Sequence, residues 1–186
     1  MLSMDLQAGI VSQFAKGDAG LIPRVAGILA EARKREMTVI HVRVGFRPGL
    51  PEVSARNALF GQIRENPRWQ KLFEGPLGEV HPGVGVQESD IIVTKHRVDA
   101  FYATDLEMIL RAKEMDTLVL FGIATSGVVL STLLHASDAD YRIIVVKDCC
   151  LDQEAEVHAC LMDKIFPRRA TVVTAEEIVK VMAGSV

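Results

Sequence analysis

Six short apolar runs rich in β-branched residues recur along the chain, and they alternate with segments of helical periodicity. The runs cover residues 1–4, 38–44, 90–95, 117–122, 142–148 and 171–173. Most are continuously apolar, which is typical of strands that are buried on both faces. Such strands separated by helices favour a parallel sheet, because each crossover helix must lie on one face of it. We therefore predict a three-layer α/β/α domain.

Apolar residues at helical spacing indicate where the helices lie. The stripes are Leu21, Val25, Ile28, Leu29 and Ala32; Leu106, Ile109 and Leu110; and Val128, Val129, Thr132, Leu133 and Ala136. Two capping boxes, Thr104 with Glu107 and Thr174 with Glu177, predict where two helices begin. We expect a single domain over residues 1–186.

One long segment lacks both patterns. Residues 45–89 carry most of the chain's seven prolines and no sustained periodicity. Loops of this length inside a compact domain are commonly lids or binding loops. We expect residues 45–89 to form a lid or binding-loop region within the domain.

Charge and cysteine content narrow the expected partners. The formal net charge is −3 and no extended basic run is present, so neither nucleic acid nor an anionic membrane is expected to bind. Cys149, Cys150 and Cys160 make a poor disulfide framework and suit a reducing compartment, which predicts a cytoplasmic protein. The N-terminal residues predict neither a signal peptide nor a transmembrane helix. A small molecule is the expected ligand.

Polar residues follow several of the predicted strands, where open parallel sheets bind ligands. Asp5 and Gln7 follow the first run, Lys95 ends the third, and a turn at residues 122–127 follows the fourth. An acid and an amine so placed can share a proton transfer. From spacing alone, a solvated carboxylate or helix cap is the better interpretation of Asp5, and a surface cation that of Lys95. The glycines of the turn suggest amides directed at an anion.

Three motifs together resemble the isochorismatase-like (cysteine hydrolase) superfamily. They are Asp5-Leu6-Gln7, Lys95 within KHRVDAFYATDL, and GIATSGVVLSTLLHASDADYRIIVVKD. The resemblance covers essentially the whole chain and implies a six-stranded parallel sheet of order 3-2-1-4-5-6. It also implies that Asp5 and Lys95 are the acid/base and ammonium of the site, that the peptide bond between Ile123 and Ala124 is cis, and that the protein forms a homodimer or larger homo-oligomer.

One position departs from the family pattern. The family turn reads Gly-x-x-Thr-x-x-Cys, with the cysteine as nucleophile toward amides, and this sequence has Val128 there. An isopropyl group has no lone pair, so no thioester can form at this position. Isochorismatases proper also lack the cysteine and hydrolyse a vinyl ether by acid catalysis, but they carry glycine there, so a different or smaller substrate is implied. The turn residues expected to keep its shape and oxyanion donors are Ile123, Ala124, Thr125, Ser126 and Gly127.

Two other side chains could supply a nucleophile. No histidine is placed by the sequence to activate Ser126, and a helix N-cap is its better interpretation. Cys149 and Cys150 are better interpreted as small buried hydrophobic residues, with Cys150 kept as a remote alternative. The five histidines show no metal-ligand spacing, and the region that binds metal in the nicotinamidase branch reads GFRPGLPEV here. Neither a metal nor another cofactor is expected.

Several further residues are candidates for the pocket or its lid. Arg43 ends the second strand, where it could bind a substrate carboxylate. For the aromatic candidates, pocket lining and core packing are equally good interpretations. The full set of candidate substrate contacts is Gln7, Arg43, Phe46, Trp69 and Phe101, with Asn57 and Phe60 as further lid residues.

Two functional hypotheses follow. The first is an isochorismatase-like hydrolase that has lost the cysteine route and uses Asp5 and Lys95 for acid–base chemistry. The second is a catalytically silent member that binds a small molecule or acts as an oligomeric scaffold. A closed polar cavity containing the Asp5 carboxylate would favour the first, and a filled or apolar one the second.

Overall fold

A six-stranded parallel sheet is the centre of the fold in the computed structural model, which describes residues 1–184. The strand order is β3-β2-β1-β4-β5-β6, and all neighbouring pairs are parallel. This confirms the predicted sheet and its order. The strands are β1 (Leu2–Met4), β2 (Ile40–Val44), β3 (Ile91–Lys95), β4 (Thr117–Ile123), β5 (Arg142–Leu151) and β6 (Thr171–Val173).

Helices lie on both faces of this sheet, as predicted. The predicted stripes on α2 and α7 are buried, since burying an amphipathic face is the main source of stability for such helices. The helices are α1 (Ala8–Phe14), α2 (Leu21–Arg33), α3 (Ala58–Glu65), α4 (Pro67–Lys71), α5 (Gly75–Gly78), α6 (Leu106–Ala112), α7 (Leu130–Asp138), α8 (Ala155–Cys160) and α9 (Ala175–Met182).

One of the two predicted capping boxes is formed. At the start of α9, the Thr174 hydroxyl accepts from the Glu177 amide and the Glu177 carboxylate accepts from the Thr174 amide. The box predicted for Thr104 and Glu107 is wrong. Helix α6 begins one residue later, with Asp105 at the N-cap, because the Thr104 hydroxyl instead donates to the carbonyl of Ala100 at 2.7 Å.

The 45–89 region contains short helices, α3 to α5, and a 3₁₀ turn at Pro82–Val84. Asn57 caps α3 and Asn66 caps α4 through side-chain oxygens that accept backbone amides. The region has a small apolar cluster of its own, in which Val53, Phe60 and Ile63 are buried. These helices escape periodicity analysis because each is too short to show a repeat. The residues that the structure describes include no helix long and apolar enough to cross a bilayer.

Candidate active site

The candidate site lies where the strand order of the sheet reverses. Strand β1 pairs with β2 on one side and β4 on the other, so the residues that follow β1 and β4 meet at the switch point. Gly122, near the end of β4, lies so close to β1 that a Cβ built on it would overlap the carbonyl of Met4. Its φ of 145° is also one that other residues rarely adopt. A glycine here allows the two strand ends to approach.

Asp5 and Lys95 form a buried ion pair at this point. Lys95 Nζ lies 2.8 Å from Asp5 Oδ2, and the side chains are 1% and 8% exposed. The ammonium also donates to the carbonyls of Arg97 and Val98, each at 3.0 Å. Three acceptors therefore match the three N–H donors of a lysine ammonium. The interpretation of Lys95 as a surface cation is wrong.

The Asp5 carboxylate has an unusual environment. Asp5 has a φ of 54°, a left-handed conformation that aspartate tolerates better than most residues. Its Oδ1 atom is buried and has no hydrogen-bond partner among the described residues. Burial raises the pKa of Asp5, and the Lys95 ammonium opposes that shift by attraction and hydrogen bonding. We expect burial to dominate, because only one of the two carboxylate oxygens is paired.

The turn after β4 is the third part of the site. The peptide bond between Ile123 and Ala124 is cis, which confirms the prediction. Residues Thr125–Val129 form a π-helical turn, in which the amides of Gly127 and Val129 donate to the Ala124 carbonyl at 3.1 and 3.3 Å. A Cβ built on Gly127 would lie 4.0 Å from Val98, whose carbonyl binds Lys95. Gly127 of the turn therefore lies near Val98, in the loop that binds Lys95.

Two residues that sequence reasoning missed hold this turn. The carboxylate of Asp152 accepts from the Ser126 amide at 2.6 Å, and Nδ1 of His158 lies 2.8 Å from Oγ1 of Thr125. The predicted N-cap role of Ser126 is wrong, because Ala124 occupies the N-cap position and Ser126 lies within the turn. The turn does direct an amide at an anion, but that anion is Asp152 of the same chain.

Comparison with known proteins agrees with this geometry. The isochorismatase domain family matches residues 1–177. The chain belongs to the isochorismatase family. Maleamate amidohydrolase of Pseudomonas putida KT2440 is 28% identical over 182 residues, which are 95% of this chain and 83% of that protein. The uncharacterized isochorismatase family protein YecD of Escherichia coli O157:H7 is 31% identical over 185 residues, which are 98% and 95% of the two chains.

Solved structures show the same fold. An isochorismatase family protein from Burkholderia thailandensis has a TM-score of 0.82 and 28% identity, covering 98% of this chain and 94% of that one. A cysteine hydrolase from Pseudomonas syringae pv. phaseolicola has a TM-score of 0.87 at 21% identity, covering 100% and 92% of the two chains, and this likeness concerns the fold alone.

Val128, which stands where the isochorismatase-family resemblance implies the nucleophile, is 1% exposed. The alternative nucleophile Cys150 is fully buried on β5, where its thiol donates to the Val146 carbonyl at 3.4 Å. Burial raises the pKa of the Cys150 thiol well above its usual range. Its burial confirms the interpretation of Cys150 as a small buried hydrophobic residue. The raised pKa also disfavours Cys150 as a nucleophile, since the thiolate is the nucleophilic form.

Two of the predicted substrate contacts are engaged elsewhere. The Gln7 amide is fully buried, donating to the carbonyls of Val44 and Gly78 and accepting from the Val44 amide. It fixes the ends of β1 and β2 to the 45–89 region. Arg43 pairs with Glu79, and its in-register partner on β3 is Thr94. Because side chains alternate along a strand, Arg43 points to the opposite face of the sheet from Lys95.

The aromatic candidates divide between core, cavity and surface. Phe101 is a core residue, 5% exposed, and its ring stacks on His135 at 4.4 Å. Phe46 packs edge-to-face against Phe60 and Phe73 and lines a cavity of about 450 Å³ in the 45–89 region. Trp69 lies on α4 with 41% of its surface exposed.

Asp5 and Lys95 are not among the residues that line three cavities found within residues 1–184. Their volumes are about 450, 440 and 640 Å³. The residues next to Asp5 are covered by the 45–89 region, since the Ala8 amide donates to Glu79 and the His81 amide donates to Leu6. Within residues 1–184, no group of three or more His, Cys, Asp or Glu side chains could hold a metal ion.

Proposed function

We propose that this isochorismatase-family protein hydrolyses a small metabolite by acid–base catalysis through Asp5 and Lys95, without a cysteine acyl enzyme. The observation that carries the proposal is the unpartnered Oδ1 of Asp5, which lies beside an oxygen paired with Lys95. A buried polar atom without a partner costs about 1–3 kcal/mol. A substrate that hydrogen-bonds to Oδ1 and takes its proton would relieve that cost.

The chemistry assigns a separate role to each side chain. Protonated Asp5 donates its proton from Oδ1 to the substrate, and water adds to the resulting cation. The hydrated product then breaks down, and a proton returns to Asp5. Lys95 stabilises the carboxylate left after the transfer, and its bonds to the Arg97 and Val98 carbonyls keep the ammonium in place.

Two amides of the turn are already engaged and are not free to stabilise an oxyanion. Acyl transfer needs free amides where negative charge develops. Here the Ser126 amide donates to the Asp152 carboxylate and the Gly127 amide donates to the Ala124 carbonyl. Together with Val128 in place of cysteine, these bonds favour protonation of an acid-labile group such as an enol ether over attack on an amide.

A second function is favoured by one observation. The Asp5 side chain is 8% exposed and lines none of the three cavities described above. A protein that binds a small molecule without turning it over, or that serves as an oligomeric scaffold, does not need an open cavity at Asp5. Under the hydrolase proposal, the cover formed by residues 78–81 must move to admit substrate.

One experiment separates the two functions. Wild type and Asp5→Asn are incubated with a pool of small metabolites that includes enol ethers and amides, and products are followed by mass spectrometry. Asp116→Asn is the matched control, since the Asp116 side chain is 73% exposed. Turnover by wild type and the control, lost in Asp5→Asn, supports the hydrolase. Depletion of a free metabolite by binding, equal in all three proteins and without product, supports the silent binder.

A further inference from the structure

Residues 152–158 hold the 123–128 turn through two side-chain hydrogen bonds. Asp152 directly follows β5, and His158 lies on α8, which contacts the turn. Asp152 Oδ2 accepts from the Ser126 amide at 2.6 Å, while His158 Nδ1 is 2.8 Å from Thr125 Oγ1. One short segment therefore holds two successive residues of the turn.

The contact between Thr125 and His158 satisfies a group that is fully buried. Thr125 is 0% exposed, and a buried hydroxyl without a partner is costly. Burial lowers the pKa of His158, while the nearby carboxylates of Asp152 and Asp163 oppose that shift. We assign the proton of the neutral ring to Nε2, so that Nδ1 accepts from the buried Thr125 hydroxyl.

The same turn also lies near the Asp5–Lys95 pair. Gly122, just before the turn, pairs in register with Met4, the residue before Asp5. A Cβ built on Gly127 would lie 4.0 Å from Val98 Cγ1. The carbonyl of Val98 accepts from Lys95 Nζ at 3.0 Å, and Lys95 Nζ lies 2.8 Å from Asp5. The turn is thus bonded to residues 152–158 and lies near the segments that carry Asp5 and bind Lys95.

We infer that Asp152 and His158 are positioning residues, which hold the 123–128 turn in place beside the strand end that carries Asp5 and near the loop of Val98, and so fix the surroundings of the Asp5–Lys95 pair. They act through the turn and not on substrate. Their importance for turnover rests on the proposed function, but their effect on the geometry of the ion pair does not. The second effect is therefore measured without a substrate.

Nuclear magnetic resonance of the full chain tests this inference. The variants are His158→Phe, Thr125→Val and Asp152→Ala, and the readouts are the backbone amide signals of residues 125–129 and the titration of the Asp5 carboxyl carbon. We expect each variant to change the chemical shifts of those amides. We also expect it to move the titration midpoint of the Asp5 carboxyl carbon by roughly 0.5 pH unit or more, since a pKa responds to small changes in the position of a charge partner. The double variant Thr125→Val/His158→Phe should match the single variants, because both remove one contact.

Two further variants separate positioning from general destabilisation. His158→Asn places an acceptor oxygen where Nδ1 lies and should restore both readouts. Thr174→Val is the control, because it removes the hydroxyl that caps α9 and so weakens the fold at a helix that is not in contact with the turn. A lower unfolding temperature in His158→Phe with unchanged turn amides and Asp5 titration would overturn the inference, as would equal shifts in Thr174→Val.

Different results would contradict the positioning role of His158 and the proposed acid catalysis by Asp5. If Asp5→Asn leaves turnover intact while His158→Phe still moves the turn amides and the Asp5 titration, acid catalysis is wrong and the positioning role stands. If Asp5→Asn abolishes turnover while His158→Phe changes neither readout, the positioning role alone is wrong.

Discussion

The Lys95 ammonium reaches Asp5 at 2.8 Å although their strands are separated in the sheet by β2. Neighbouring strands lie about 4.8 Å apart, so the ends of β3 and β1 are roughly twice that distance apart. The four-carbon stem of lysine spans much of the gap, and the left-handed backbone at Asp5 directs its carboxylate out of the usual strand alternation. A shorter cation on β3 would not make this contact.

Removing the ammonium should destabilise the fold strongly. In Lys95→Met the Asp5 carboxylate loses its counter-ion in a buried site, and breaking one side of a buried pair costs about 3–5 kcal/mol. Urea unfolding above the pKa of Asp5 measures the loss. Lys180→Met is the control, because the Lys180–Glu176 pair is exposed, and we expect little change there. A similar free energy of unfolding in both variants would contradict the buried pair.

Acid catalysis predicts a particular pH dependence. Burial raises the pKa of Asp5 despite the opposing Lys95 ammonium, and a general acid acts only in its protonated form. Under the proposed function, kcat/KM is therefore highest below that pKa and falls as pH rises through it. Rate measurements across pH on an identified substrate check this. A rate that instead rises with pH would show that Asp5 acts as a base.

The raised pKa of Asp5 also makes the free energy of unfolding depend on pH. A carboxyl whose pKa is raised in the folded state binds its proton more tightly there than in the unfolded chain. The free energy of unfolding should thus decrease as pH rises from the ordinary pKa of aspartate to the raised value. Asp5→Asn has no proton to lose and should lack this part of the pH dependence. Parallel unfolding curves for both proteins across that window would contradict the raised pKa.

The strands were predictable from their continuous apolar runs, and most of the remaining features were predictable from resemblance to a family. The six strands, their order, the cis bond at Ile123 and the Asp5–Lys95 centre were anticipated, the last three through resemblance to a family. The sequence did not indicate which face of the sheet each side chain lies on, or which residues distant in the sequence pair with each other. Arg43 lies at the carboxyl end of β2, as predicted, but it pairs with Glu79, and its register with Thr94 places its side chain on the opposite face of the sheet from Lys95.

Asp152 was missed for a related reason. The fifth strand was predicted to end at residue 148, but β5 continues to Leu151, so Asp152 was not recognised as a strand-end residue. Extending the strand-end rule by three residues would have found it. His158 lies on a short helix with no motif spacing, and only the folded contact with Thr125 identifies its role.

Close approach of β1 and β4 predicts that Gly122 cannot be replaced. In Gly122→Ala the added methyl would overlap the Met4 carbonyl at a φ of 145°, and we expect a loss of about 2 kcal/mol or more from strain and displacement of the strand end. Gly27→Ala is the matched control on α2, where a Cβ meets nothing within 4 Å. That change should stabilise the helix by about 0.5–1 kcal/mol. Chemical denaturation measures both, and equal effects would refute the close approach.

The cysteines provide the sharpest test of a route without a thiol nucleophile. Cys160 is exposed, whereas Cys149 and Cys150 are buried. Burial raises the pKa of Cys149 to about 12 and that of Cys150 further. Because alkylating reagents attack the thiolate, iodoacetamide should modify Cys160 alone in the folded protein.

Under the proposed function this modification leaves turnover unchanged, because Asp5 and Lys95 carry the chemistry. Peptide mass spectrometry after iodoacetamide treatment identifies the modified residue, and an activity assay on an identified substrate follows the consequence. Cys160→Ser is the control, which should retain wild-type activity and take up no label. Inactivation that substrate prevents, with the label on Cys150, would replace acid catalysis with a relocated thiol on β5. Since Cys150 pairs in register with Gly122, such a thiol would still act at the same end of the sheet.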